Sequence, residues 1–428
     1  MSKFKLGLTI VFSVFIILGI AVFALSKGGG AAATVPVTVW GYLPANVFDN
    51  FIRSTTLSGD KTVSVTYVQK TAANFNTDFV NALANGAGPD IVMLGSDQLL
   101  QNKNKLYPIP YTSYSERIFK DNFVQEGELF LATNGVYAVP LMIDPMVMYW
   151  NRDIFNTAGI AQPPKYWDEI LTSPLTLTKT DKSGTVTQSA VALGEWVNVA
   201  NAKSIVSSLL LQAGTSIVDH LSVPPRSVLQ YETTAAVSPA DGAVNYYTQF
   251  ANPTTQVYSW NRSLPDSLTS FLSGRLAMYF GFASEIANIR LKNPNLNFDV
   301  TYFPQPRQSQ SPVVFGKIYG LALVKQSQKV AAGFNVITQL TSSESLAALS
   351  ELTNLPPVRR SLLASAPTDP FKTVFYKSAL ISKGWLDPDP QATNDIFKNM
   401  IESITSGRAR TSDAITTAGG QLDALLAQ

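Results

Sequence analysis

The chain has no cysteine and one histidine, His220, in 428 residues. The first absence excludes disulfides, thiolate zinc sites and a thiol nucleophile. It also closes the route of anchoring through an acylated N-terminal cysteine. One histidine with no cysteine cannot build the usual zinc site, and His220 reads as a surface residue. G-x-S-x-G is missing, so a nucleophilic triad has little to stand on. P-loop and G-x-G-x-x-G cradles are missing too, and Gly86-Ala87-Gly88-Pro89 is no substitute because Pro89 lacks an amide donor. Only 14% of residues are charged and the net charge is +2, with no Lys/Arg cluster, which argues against a nucleic-acid partner. No cofactor or metal is expected.

Apolar residues are plentiful, at 46% of a chain long enough for two or three domains. Leu6 to Leu25 is an uncharged apolar run, preceded by Lys3 and Lys5 and followed by Lys27. As a helix it reaches about 30 Å, enough to cross a bilayer. Two readings stand: an uncleaved signal-anchor, favoured by the length of the run, and a secretory signal cleaved near Ala31-Ala32-Ala33. The two leading lysines put the N-terminus on the cytoplasmic side and the body outside. Gly28 to Ala33 then reads as a flexible tether.

In the body, Val37–Trp40, Val63–Val68 and Ile91–Leu94 have the pattern of strands. Helices at Asn46–Arg53 and Asn76–Leu83 lie between them. This β-α-β-α-β order predicts an α/β fold with a parallel sheet covered on both faces. A further strand over Val136–Met142 is expected to break at Pro140 and at Asp144-Pro145, with Met146–Trp150 resuming it. Tyr166–Leu171 and Ala200–Ala213 read as helices, 175–187 as a loop or hairpin, and Ser222–Ser238 as irregular. Strands at Leu276–Phe280, Phe298–Phe303 and Ile318–Val324 follow. Helices at Phe371–Ile381, Asn394–Ile404 and Ser412–Leu426 close the chain.

In open α/β sheets ligands meet the chain beyond the carboxyl ends of strands. Ser96 and Asp97 follow the strand at Ile91, although Asp97 also suits the N-cap of a helix starting near Gln98. Trp40 ends a strand beside Gly41. Trp196 in G-E-W-V-N, Trp260 in Y-S-W-N and Trp385 after Lys383-Gly384 lie in loop-like contexts, where a core tryptophan is less expected. Phe282 and Ser284 lie beyond the strand at Leu276. Trp150 and Trp167 read as core. Asp144 is a candidate ligand or a turn residue before Pro145.

The run G-A-G-P-D-I-V-M-L-G-S-D at Gly86–Asp97, then V-P-L-M-I-D-P-M-V-M-Y-W-N-R-D-I-F at Val139–Phe155, resembles the extracellular solute-binding proteins of ABC importers. Y-S-W-N at Tyr258–Asn261, G-R-L-A-M-Y-F-G-F-A-S-E-I at Gly274–Ile286 and a closing I-T-S-G-R continue the likeness over 36–425. It points to the carbohydrate-binding group typified by maltose-binding protein. The resemblance implies a two-lobed periplasmic-binding-protein-like fold with a hinge and interlobe cleft. Lobe one would hold 34–143 and 304–343, lobe two 144–303 and 344–428, with 1–33 as anchor and tether. It implies a monomer that closes over a sugar and delivers it to permease subunits. Asp97, Asp144 and tryptophans would contact the sugar. Two stacking aromatics of maltose-binding protein fall on Ser284 and Asn394 here, a departure that bears on maltodextrin specificity. A glycosidase, with Asp97 and Asp144 as its two carboxylates, and a sensing receptor are the rival classes; the former needs the pair about 5–9.5 Å apart.

Overall fold

The computed structural model describes residues 34–220, 222, 224–230, 238–309 and 311–427. The apolar run Leu6 to Leu25 and the tether lie outside them. Among the described residues no helix is long and apolar enough to cross a membrane.

The sheet starts as the alternating pattern predicts. Strand Val35–Gly41 pairs in parallel with Val63–Gln69 on one side and Ile91–Gly95 on the other. Helix Ala45–Arg53 buries Phe48 and Phe51, and Phe48 stacks on Tyr67 with ring centroids 3.9 Å apart. Helix Phe75–Ala84 buries Phe75, Phe79 and Leu83, four residues apart and therefore on one face. Every residue of Ile91–Gly95 is buried, as expected of a strand covered on both sides.

Beyond that strand the sheet turns antiparallel. Val314–Val324 lies against Ile91–Gly95 and then against Val139–Asn151. Val139–Asn151 in turn pairs with Leu276–Phe282 and Phe298–Thr301, and Val186–Val191 runs parallel to Leu276–Phe282. The expected breaks at Pro140 and Asp144-Pro145 do not occur. Val139–Asn151 is one buried strand of 13 residues. Each proline faces a glycine: Pro145 opposes Gly316, and Pro140 opposes Gly320 where the register shifts. A Cβ at Gly316 would meet Glu126 and Ser382, and one at Gly320 would meet Ala138 and Phe130, so close packing excludes a side chain at both positions.

Buried side chains form two clusters. One contains Val37 to Ile143, Ile318 to Leu340, and also Leu346, Leu349, Val358 and Leu363. The other contains Met146 to Phe303, Val314, and Phe397 to Leu422. The change of cluster falls inside both long strands, between Ile143 and Met146 and between Val314 and Ile318. We call these two the crossing strands. Helix Ser343–Thr353 packs into the first cluster, although the resemblance assigned residues past 343 to the second lobe. The apolar stripe of Leu346 and Leu349 decides this, and motif order does not reveal it.

Gly194 precedes the loop that carries Trp196. It sits at φ +96°, and a Cβ there would lie 2.6 Å from the backbone nitrogen of Ala251. Both the conformation and the neighbour exclude a side chain. Gly194→Ala should therefore lower unfolding stability by about 2–4 kcal/mol. A urea melt with an unmoved midpoint would show that the loop can relax.

Candidate functional site

Between the two clusters lies a cavity of about 870 Å³. Its floor is Phe315 to Ile318 of one crossing strand, and its walls come from the starts of helices on both sides. Ala72, Ala73 and Asn76 stand at the head of Phe75–Ala84, and Ser96 to Gln98 form a turn directly after Ile91–Gly95. Opposite them, Trp196 to Ser204 lead into Ala202–Gln212, and Trp385 to Lys398 lead into and along Pro390–Thr405. Helix starts carry amide donors without intrahelical partners, so polar ligands are drawn to such ends.

Asp97 lines the cavity and is half-buried. It caps no helix, and among the described residues no other residue donates to its carboxylate. Burial raises its pKa, and the ammonium groups of Lys317 and Lys203 oppose that rise. Gly95 permits this placement, since a Cβ there would lie within contact-breaking distance of Asp97 Oδ1. Lys317 enters the cavity from the crossing strand, with Nζ 4.1 Å from the Phe282 ring centroid and no carboxylate within 4 Å among the described residues. Trp196 lines the opposite wall; among the described residues nothing accepts from its indole N–H and no ring packs on its face. Of the two cavity tryptophans it is the one without a ring contact among the described residues, and it is 7% exposed within the second cluster.

Trp385 also lines the cavity, but its ring already has neighbours. Phe397 stacks on it at 6.0 Å, Lys203 Nζ lies 5.4 Å from the centroid, and the indole donates to Ser207 Oγ at 3.2 Å. Lys203 donates to Asp387 Oδ2 at 2.5 Å and to Thr393 Oγ1 at 2.6 Å, bracing the wall. Asn201, at φ +61°, starts the helix Ala202–Gln212 and donates to Glu285 Oε1 at 2.8 Å. A left-handed asparagine at a cavity rim is the kind of strain that accompanies binding loops.

Ser96, Asp97, Trp196 and Trp385 thus converge, and five other candidates do not reach the cavity. Trp40 is buried edge-on to Phe79, with Lys70 Nζ 4.0 Å from its ring centroid. Trp260 is 1% exposed and donates to Asn198 Oδ1 at 3.1 Å, a core residue with its polar atom satisfied. Phe282 lies beneath Lys317, and Ser284 is exposed outside the lining. Asp144 is buried below the floor, where Oδ1 accepts from the Ser284 amide at 3.0 Å. Trp40 and Phe282 lie at strand ends as expected, but Asp144 lies inside the unbroken strand Val139–Asn151 and Trp260 in a loop, and none of the five is in the cavity lining. Lys203, Lys317 and Asp387 were missed. Their signal was a lone cation in each of two apolar elements, and an aspartate between tryptophan-leucine and proline.

The bacterial extracellular solute-binding protein family matches residues 59–347. The chain belongs to that family. It is a binding protein of the extracytoplasmic side and not an enzyme. A candidate binding protein of Brucella abortus is 30% identical over 89 residues, which is 20% of this chain and 21% of that relative. Among solved structures, the chain is similar to the cyclic alpha-maltosyl-1,6-maltose binding protein of Arthrobacter globiformis, at TM-score 0.75 and 16% identity over 92% of this chain and 99% of that one. It is also similar to an ABC transporter solute-binding protein of Thermotoga lettingae bound to alpha-D-tagatose, at TM-score 0.67 and 18% identity over 92% and 100%. At these identities the likeness concerns the two-lobed fold.

Asp144 gives this solute-binding protein a pH signature. Burial pushes its carboxyl up to about 6 from an ordinary 3.8, against the pull of Ser284 and Lys317. A raised acid is a cost to the folded chain once ionised, about 3 kcal/mol above pH 6, vanishing below about pH 4. Asp144→Asn, which keeps the acceptor for Ser284, should raise the melting temperature at pH 8 and leave it unchanged at pH 4. An equal gain at both values would refute burial as the cause.

Proposed function

We propose that the protein captures a neutral sugar or short oligosaccharide in the cavity between its lobes and delivers it to the permease of an ABC importer. One observation carries this: a carboxylate (Asp97) to which no other described residue donates, an ammonium (Lys317) with no ion-pair partner among the described residues, and an indole (Trp196) with no ring contact among them line one cavity of about 870 Å³. A carboxylate and an ammonium together accept from and donate to adjacent hydroxyls, and an indole face covers the C–H surface of a sugar ring. Four lining aspartates against three lysines leave no strong excess of one sign, which suits a neutral solute. Solved relatives of the same fold are described as binding tagatose, maltotetraose and mannobiose, which supports the carbohydrate class.

In this reading the two core clusters are the two lobes, hinged at the crossing strands, and 343–363 move with lobe one. A solute touching both lobes stabilises the closed form through contacts that the open form lacks. The protein acts as a monomer held at the outer face of the membrane by Leu6 to Leu25. ATP hydrolysis falls to a separate subunit, since this chain has no nucleotide motif.

A thermal-shift panel of maltodextrins, manno-oligosaccharides and tagatose on the chain from Thr34 identifies the solute, because a specific ligand raises the melting point by mass action. With that solute, Trp196→Ala and Asp97→Asn should each weaken binding about 10- to 150-fold in titration calorimetry, equivalent to about 1.5–3 kcal/mol. Binding that survives both changes intact would sink the site assignment.

A further inference from the structure

A second cavity, of about 730 Å³, is called the rear one and the first the front one. Tyr111 to Thr133 line it from the first cluster, and Leu211 to His220 from the second. No residue lines both cavities. Two elements nevertheless reach from one to the other. Helix Ala202–Gln212 has its first turn in the front cavity and Leu211 in the rear one, about 16 Å of rigid rod. In the segment after Ser382, Gly384 faces the rear cavity and Trp385 the front one. In the hinged reading, a rotation of the second lobe about a line between the cavities would move the two ends of these elements in opposite senses, so that closing the front opens the rear.

Glu126 stands at the pivot. It is 2% exposed, and neither carboxyl oxygen has a hydrogen-bond partner. Its two oxygens occupy the space that side chains would take at Gly316 and Gly384: a Cβ would meet them at 2.6 Å and 2.8 Å. The nearest hydroxyl, on Ser382, already donates to Ser378 O at 3.0 Å. The charged and titratable groups around it offer nothing either. Lys120 is engaged by Glu116 at 2.7 Å and lies 3.9 Å from Glu128. Lys383, Tyr111 and His220 line the cavity without bonding to Glu126, and Lys317 lies across the wall in the front cavity.

We propose that Glu126 is a proton-operated latch on lobe movement: as the neutral acid it is sealed between the crossing strand and Gly384, and once ionised it favours the arrangement in which the rear opens, water reaches it, and the sugar cleft closes. An unpaired buried carboxylate is far costlier than the neutral acid, which is the physical drive. Burial pushes the Glu126 carboxyl up to about 8, so the latch works above neutral pH, away from the titration of Asp144. The inference rests on the two-lobed, hinged reading but not on the identity of the solute.

The test needs no solute. The absence of native cysteine lets spin labels be placed cleanly on the exposed positions Asn81→Cys in lobe one and Thr416→Cys in lobe two. The distance between labels should change as pH rises from 7 to 9, the range in which the Glu126 carboxyl ionises. Glu126→Gln, neutral at every pH, should hold the pH 7 distance throughout. A wild-type distance that does not move, or a Gln variant that titrates like the wild type, overturns the proposal. If the Gln variant does not fold, the wild-type titration alone decides. A solute found by the thermal-shift panel with no pH-dependent distance would leave the sugar reading intact and remove the latch.

Discussion

The antiparallel pairing of Val139–Asn151 with Val314–Val324 is the constraint on which the rest depends. It is the only place in the described sheet where both partners pass from one hydrophobic cluster to the other. Every other strand belongs to one side. The pairing runs through two prolines, each with a glycine opposite it, and both glycines lie where neighbouring side chains leave no room for a Cβ. Gly316 also forms part of the cavity floor and makes room for Glu126 behind it. One residue without a side chain thus serves the strand register, the binding floor and the rear contact.

The site follows from how elements end at that pairing. Strand Ile91–Gly95 delivers Ser96 and Asp97 to one wall, and the starts of Ala202–Gln212 and Pro390–Thr405 deliver Lys203 and Asp387 to the other. Committed and uncommitted groups separate cleanly. Lys203, Asp387, Thr393 and Trp385 hold one another, which makes a stiff wall. Asp97, Lys317 and Trp196 are left without such ties, and stiff surroundings with a few free polar groups suit binding by preorganisation.

Much of the fold was legible in the residues. The apolar spacing of Phe75, Phe79 and Leu83, the uniform run at Ile91–Leu94 and the breaks after them gave the first three strands and two helices nearly to the residue. The unbroken Val139–Asn151 strand was not legible, because a proline is read locally as a breaker while the glycines that accommodate it lie about 175 residues away. The assignment of Leu346 and Leu349 to the first cluster depends likewise on which distant surface that stripe meets.

For the site, sequence by itself determined the chemical inventory and the strand ends where it collects: no thiol, one imidazole, a few loop tryptophans and an aspartate after a buried strand. It also carried the family, since ordered motifs survive where overall identity is low. Tertiary structure alone decided which cavity tryptophan is left without a ring contact. Trp196, Trp260 and Trp385 share a loop-like context in the chain, yet Trp196 lines the cavity without a ring contact, Trp385 lines it packed against Phe397 and Lys203, and Trp260 is sealed in a core. Local sequence sets which groups a segment carries. Which of them remain unpaired is a property of neighbours brought together only when distant segments of the chain pack.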